Sequence, residues 1–115
     1  MSIETDNEIA RIESHIEGLK KLIEKRDLAL RLEQIPEFRK LILEGYCMEE
    51  CARYTHMSVN PTVSVEERMF ALQMAQSSGL LKQFLSAAVR MGNQAVKETR
   101  EGEAAILELR TEGQG

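Results

Sequence analysis

Cys47, Cys51 and His56 are the side chains whose types and spacing come nearest to a chemical site. Two thiols four residues apart share a helical face, whereas a histidine five further on is rotated off it. A structural zinc takes four ligands, and a catalytic zinc takes three with an open position, with tight Cys-x-x-Cys pairs typical of the structural sites. Only one other histidine exists, His15, and it belongs to a different segment. Both cysteines therefore read as reduced, small buried hydrophobes, and neither a metal nor a cofactor is expected. His15 follows as a surface side chain at the edge of a helical stripe rather than a general base.

The carboxylates lead to the same place. Glu49-Glu50 and Glu66-Glu67 are adjacent pairs, so the members of each diverge on a helix, whereas paired carboxylate catalysis needs two groups converging on one bond. There is no Gly-rich phosphate loop, no nucleophile elbow and no Ser/His/Asp arrangement, and an enzyme is not expected. Met48, Met57, Met69, Met74 and Met91 are more suggestive. Methionines fill irregular cores, or they line soft surfaces that adapt to protein partners.

The elements that must position these residues are helical. The 115 residues are 43% hydrophobic but only 4% aromatic, with no Trp, and 30% charged. Packing therefore rests on Leu, Ile, Ala and Met, the profile of long helices in one small domain. The formal charge of −4 divides into −2 for residues 1–33, −2 for 34–79 and 0 for 80–115. No segment is basic enough to neutralise many phosphates, so nucleic acid is not the expected main partner. Met1 to Asp6 is acidic with no apolar run after it, and no stretch approaches the ~20 apolar residues of a membrane span. Neither a secretory leader nor a transmembrane segment is expected.

Ile9, Ile12, Ile16, Leu19 and Ile23 step by three and four, with Leu30 one heptad beyond. That spacing predicts an amphipathic first helix lying along another. Thr5 or Asp6 is placed to cap it, and Gly18 costs it about 1 kcal/mol relative to Ala. Leu22, Leu28, Ala29 and Leu32 broaden the apolar face toward its end. Ile35-Pro36 stops it, and Pro36 suits the first turn of a new helix carrying Phe38, Leu41 and Ile42. Gly45 is expected to end or bend that helix, and Tyr46 to Met57 to form a third. Ser58-Val59-Asn60-Pro61-Thr62 is a loop, and Ser64-x-x-Glu67 is a capping box opening the next helix. Ser77-Ser78-Gly79 is expected to kink or end it. Beyond that, Leu81, Phe84 (with Leu85), Ala88, Met91, Ala95, Gly102 and Leu109 continue a three/four stripe that Ala88, Gly92, Ala95 and Gly102 keep thin. The first helix can then approach closely, with Ile9 and Ile12 in the neighbourhood of Ala105 and Leu109 and Ile23 in that of Ala95 or Met91.

These elements predict an all-α fold: an antiparallel two-helix, coiled-coil-like hairpin with short helices forming a small head at one end. Residues 1–115 form a single domain. Residues 5–33 and 80–110 are the long arms, 34–79 the helical head and 111–115 a fraying tail. The head carries more large apolar side chains than three short helices cover. Phe38, Tyr46, Tyr54, Met57, Met69 and Phe70 are the candidate protein-interaction residues.

The run Gln34-Ile35-Pro36-Glu37-Phe38-Arg39-Lys40-Leu41-Ile42-Leu43-Glu44-Gly45-Tyr46 follows a heptad-rich helix. Glu49-Glu50-Cys51-Ala52-Arg53 comes next, then an Asn-Pro loop, and later Leu81-Lys82-Gln83-Phe84-Leu85 with Met91-Gly92. This pattern, over roughly residues 9–110, resembles small helical proteins encoded among the virion structural genes of tailed bacteriophages. The resemblance implies a structural or assembly role in a phage particle, in the virion or in the host cytoplasm during assembly. It also implies partners that are further copies of the chain or other phage structural proteins. The alternative is a cytosolic helical adaptor or regulator unrelated to the virion.

Overall fold

A computed structural model describes residues 2–114, apart from the Gln114 side chain. Its elements are α1 (Ile3–Glu33), α2 (Pro36–Phe38), a π-helix (Arg39–Glu50), α3 (Cys51–Ser58) and α4 (Val65–Gln114). The described residues contain no strand, and the fold is all-α with its two long helices packed as an antiparallel pair. The chain divides into two compact units, one formed by Met1–Leu28 with Ala88–Gly115 and the other by Ala29–Ala87.

In the first unit, α1 runs against α4 along two heptad seams. Ile9, Ile12, Ile16, Leu19, Ile23 and Arg26 turn inward from α1. Ala88, Gly92, Ala95, Thr99, Gly102, Ile106 and Leu109 do so from α4, spaced by fours and threes throughout. The register is fixed by two close approaches. A Cβ on Gly102 would lie 3.0–3.2 Å from Ile16 and Ile12, and one on Gly92 would lie 2.1 Å from Arg26 Cβ. Glu13 and Arg110 pair at 3.3 Å across the same two helices. Counting heptads from these points sets Ile23 level with Ala95 and Ile9 level with Leu109, as the sequence pattern predicts.

Three sequence expectations change here. Ser2, not Thr5 or Asp6, caps α1, its Oγ accepting the Thr5 N–H at 3.1 Å. Phe84 and Met91 are exposed (54% and 49%), while Leu85 and Gly92 are buried. Close helix packing selects the small residue at each turn rather than the largest apolar one. Arg26 takes a seam position that the hydrophobic pattern omits. Its stem lies against Gly92, and its guanidinium donates to Asn93 Oδ1 and Asp27 Oδ1.

In the second unit, Ala29, Cys47, Ala71, Ala75, Ser78 and Leu85 are buried. Leu30, expected in the seam, is exposed, and the neighbouring Ala29 is buried. Ile35 is extended (ψ 114°), which stops α1 and lets Pro36 open α2. The Arg39 guanidinium donates back to the Glu33 carbonyl, closing the end of α1. Gly45 neither ends nor bends the chain; it lies inside the π-helix, which continues into α3. Asn60 Oδ1 accepts from the Thr62 backbone and hydroxyl to hold the loop. Ser64 Oγ accepts the Glu67 N–H at 3.2 Å and starts α4. Ser77-Ser78-Gly79 lie within α4, with the buried Ser78 Oγ donating to the Ala75 carbonyl at 3.0 Å. The helix runs on through Thr111 to Gln114; Gly115, in the predicted tail, lies outside the described residues.

Candidate interaction surface

The π-helix decides which side chains of the second unit reach solvent. Bonds from i to i+5 widen each turn beyond 3.6 residues. The inward positions then fall at Phe38, Ile42 and Leu43, Cys47 and Cys51, four or five apart. Leu41, which α-helical spacing puts beside Phe38 and Ile42 on one apolar face, is turned out to 70% exposure, and Met48 to 55%. Leu41 sits in a shallow depression with Glu37, Lys40, Glu44, Gly45 and Glu49.

Of the six predicted interaction residues, Met69 and Phe70 are exposed (59% and 56%), and Phe38, Tyr46, Tyr54 and Met57 are half-buried. The structure brings Tyr54 and Phe70 together. Their rings meet edge to face, 6.4 Å between centroids and 84° between planes. Arg53 lies over the Tyr54 ring at 4.3 Å and makes a two-pronged contact with Glu50 at 2.8 and 3.2 Å. That hydrogen bond from Arg53 lowers the Glu50 carboxyl below the usual carboxylate range, and the pairing raises the Arg53 guanidinium above its ordinary value. The result is a Glu–Arg–Tyr–Phe chain with an apolar face and a charged rim, a composition enriched where proteins bind one another.

The candidate chemistry residues disperse. Cys47 is buried, and burial pushes its thiol above the ordinary value, against a smaller opposing pull from Lys82. The Cys51 thiol donates to the Ala75 carbonyl at 3.5 Å. His56 is exposed in the last turn of α3. His15 Nε2 stands 4.0 Å from Glu98 Oε1 on the surface, too far for a hydrogen bond. Among the described residues no three His, Cys, Asp or Glu side chains are grouped so as to hold a metal ion. No helix there is long and apolar enough to cross a membrane.

Leu72 and Leu80 are exposed residues that the sequence did not single out, and Phe84, placed in the inward stripe, is exposed as well. Their signal was present: α4 carries one charged residue, Lys82, from Met69 to Val89. The chain matches no protein-family model, no curated protein and no solved structure.

Proposed function

We propose that this protein is a non-enzymatic structural or assembly element of a tailed bacteriophage particle, acting through helical protein–protein contacts. The observation that carries the contact role is the set of large apolar side chains that the second unit leaves exposed. Leu41, Met48, Met69, Phe70, Leu80 and Phe84 each keep more than half of their surface open. Apolar side chains exposed in this number within 59 residues mark a binding surface. The phage setting rests on the resemblance carried by Gln34–Tyr46 and the segments after it. Its partners in this reading are further copies of itself or other structural proteins of the particle.

The test is complementation in infected cells lacking the protein. Tyr46→Ala and Met57→Glu, made in the second unit and checked for retained helicity, are expected to lower the yield of assembled particles. Normal yields with both variants count against the reading.

A further inference from the structure

From Met69 to Val89, α4 holds a single charged residue, Lys82, among 21, in a chain that is 30% charged. A surface helix ordinarily turns a charged face to solvent, and this stretch has only Lys82 to put there. One side of this segment is buried within its own unit, through Ala71, Ala75, Ser78 and Leu85. The other side carries Val65, Met69, Leu72, Leu80 and Phe84, exposed by 49–63%, interleaved with Gln73, Gln76 and Gln83. Met69, Leu72, Gln76, Leu80, Gln83 and Ala87 follow one another at intervals of three, four, four, three and four. This eleven-residue repeat stays on one side of a straight helix, where a heptad would wander.

We propose that a second copy of this chain covers that face, with the two α4 helices antiparallel about a twofold axis level with Ser78. The order of residues supports this occupant. Reversal about position 78 sets Met69 on Ala87 along the middle of the face and brings Leu72 level with Phe84 and Gln76 level with Leu80, each made twice, as an isologous contact requires. No charge on the face calls for a charged partner. Parallel pairing would instead hold Glu66 level with its own copy at the edge of the face, a like-charge penalty. The area suffices. At about 200 Å² for a fully open side chain of this size, the five apolar residues offer on the order of 500 Å². The three glutamines bring the face toward the roughly 800 Å² per partner of a specific dimer. The proposal deepens the assembly reading by naming its first contact, and its test uses only the purified chain, so either can fail without the other.

The experiment is sedimentation velocity with light scattering, from micromolar to submillimolar concentration, with circular dichroism to confirm that each variant stays helical. The wild-type chain is expected to dimerise. Met69→Glu and Ala87→Lys are each expected to weaken the dimer by at least about tenfold, since each acts twice in the interface. The double variant Met69→Glu/Ala87→Lys, which sets Glu on Lys, is expected to regain it. Val59→Glu, an exposed loop position off this face, is expected to leave it unchanged. A wild-type chain that stays monomeric, or captures only other proteins, overturns the proposal. So do single variants that dimerise normally, a double variant that stays monomeric, or a dimer lost through Val59→Glu.

Discussion

Gly92→Ala is the sharpest perturbation of the helix pair. The added methyl would stand 2.1 Å from Arg26 Cβ, 2.8 Å from Cγ and 2.9 Å from Cδ. A Cβ cannot turn away as a side-chain end can, so the two helices must separate locally. Overpacking of this kind costs about 1–3 kcal/mol, and the better helix propensity of Ala returns about 1 kcal/mol. An approach of 2.1 Å puts the cost at the upper end of that range, so the net loss is about 2 kcal/mol, a fall in Tm of roughly 8 °C for a chain of this size. Two other glycines serve as internal controls. At Gly102 the new methyl meets only the movable ends of Ile16 and Ile12 at 3.0–3.2 Å. An off-rotamer shift of about 0.5–1.5 kcal/mol offsets the propensity gain, so Gly102→Ala should be nearly neutral. Nothing lies within 4 Å of a Cβ on Gly18, so Gly18→Ala should stabilise by about 1 kcal/mol. Thermal melts followed by circular dichroism should therefore rank Gly18→Ala above wild type, Gly102→Ala near it and Gly92→Ala below. A Gly92→Ala protein melting at or above wild type would refute the register.

Other expectations rest on single sites. Ala95 is fully buried, and Ala95→Leu should cost about 1–3 kcal/mol, read as a lower urea midpoint with an unchanged slope. Burial raises the Cys47 thiol above its ordinary 9.0, so the unfolded chain gives up this proton first. The stabilisation is complete below that ordinary value and is lost as pH climbs through the raised one. A urea series across the alkaline range should show this decline, and Cys47→Ala should flatten it. With no metal-ligand cluster among the described residues, excess chelator should leave the melting curve unchanged. Stoichiometric zinc in the purified protein, with unfolding on its removal, would contradict that.

Much of the scaffold was written in local chemistry. Pro36 forces Ile35 out of the helical region, and Ser64 offers an oxygen to the Glu67 N–H; each needs only its neighbours, and both boundaries stand where the residues put them. The α1 seam to Ile23 was equally legible because its bulky residues repeat without interruption. In α4 the small residues Ala88, Gly92, Ala95 and Gly102 stand where the spacing put them, against α1, whereas Phe84 and Met91, counted in the same stripe for their size, face solvent. Ser77-Ser78-Gly79 has weak helix formers, yet Ser78 closes its hydroxyl on a carbonyl of its own helix and is buried, so α4 continues. The π-helix has no sequence signature, because i→i+5 bonding is a backbone choice made under packing. That is why Leu41 was placed on an apolar face and is found facing solvent, and why the surface was only half readable: Met69 and Phe70 were named, but Leu72 and Leu80 were not.

The central claim is that this chain belongs to an assembled particle and is held there by protein contacts. The direct measurement is quantitative mass spectrometry of gradient-purified particles from infected cells, after a high-salt wash. High salt screens exposed ion pairs but leaves apolar contacts intact. The account predicts that the protein remains with the particles in fixed proportion to their major structural proteins. Its absence from particles and from assembly intermediates alike, with all of it free in the lysate, would contradict the account.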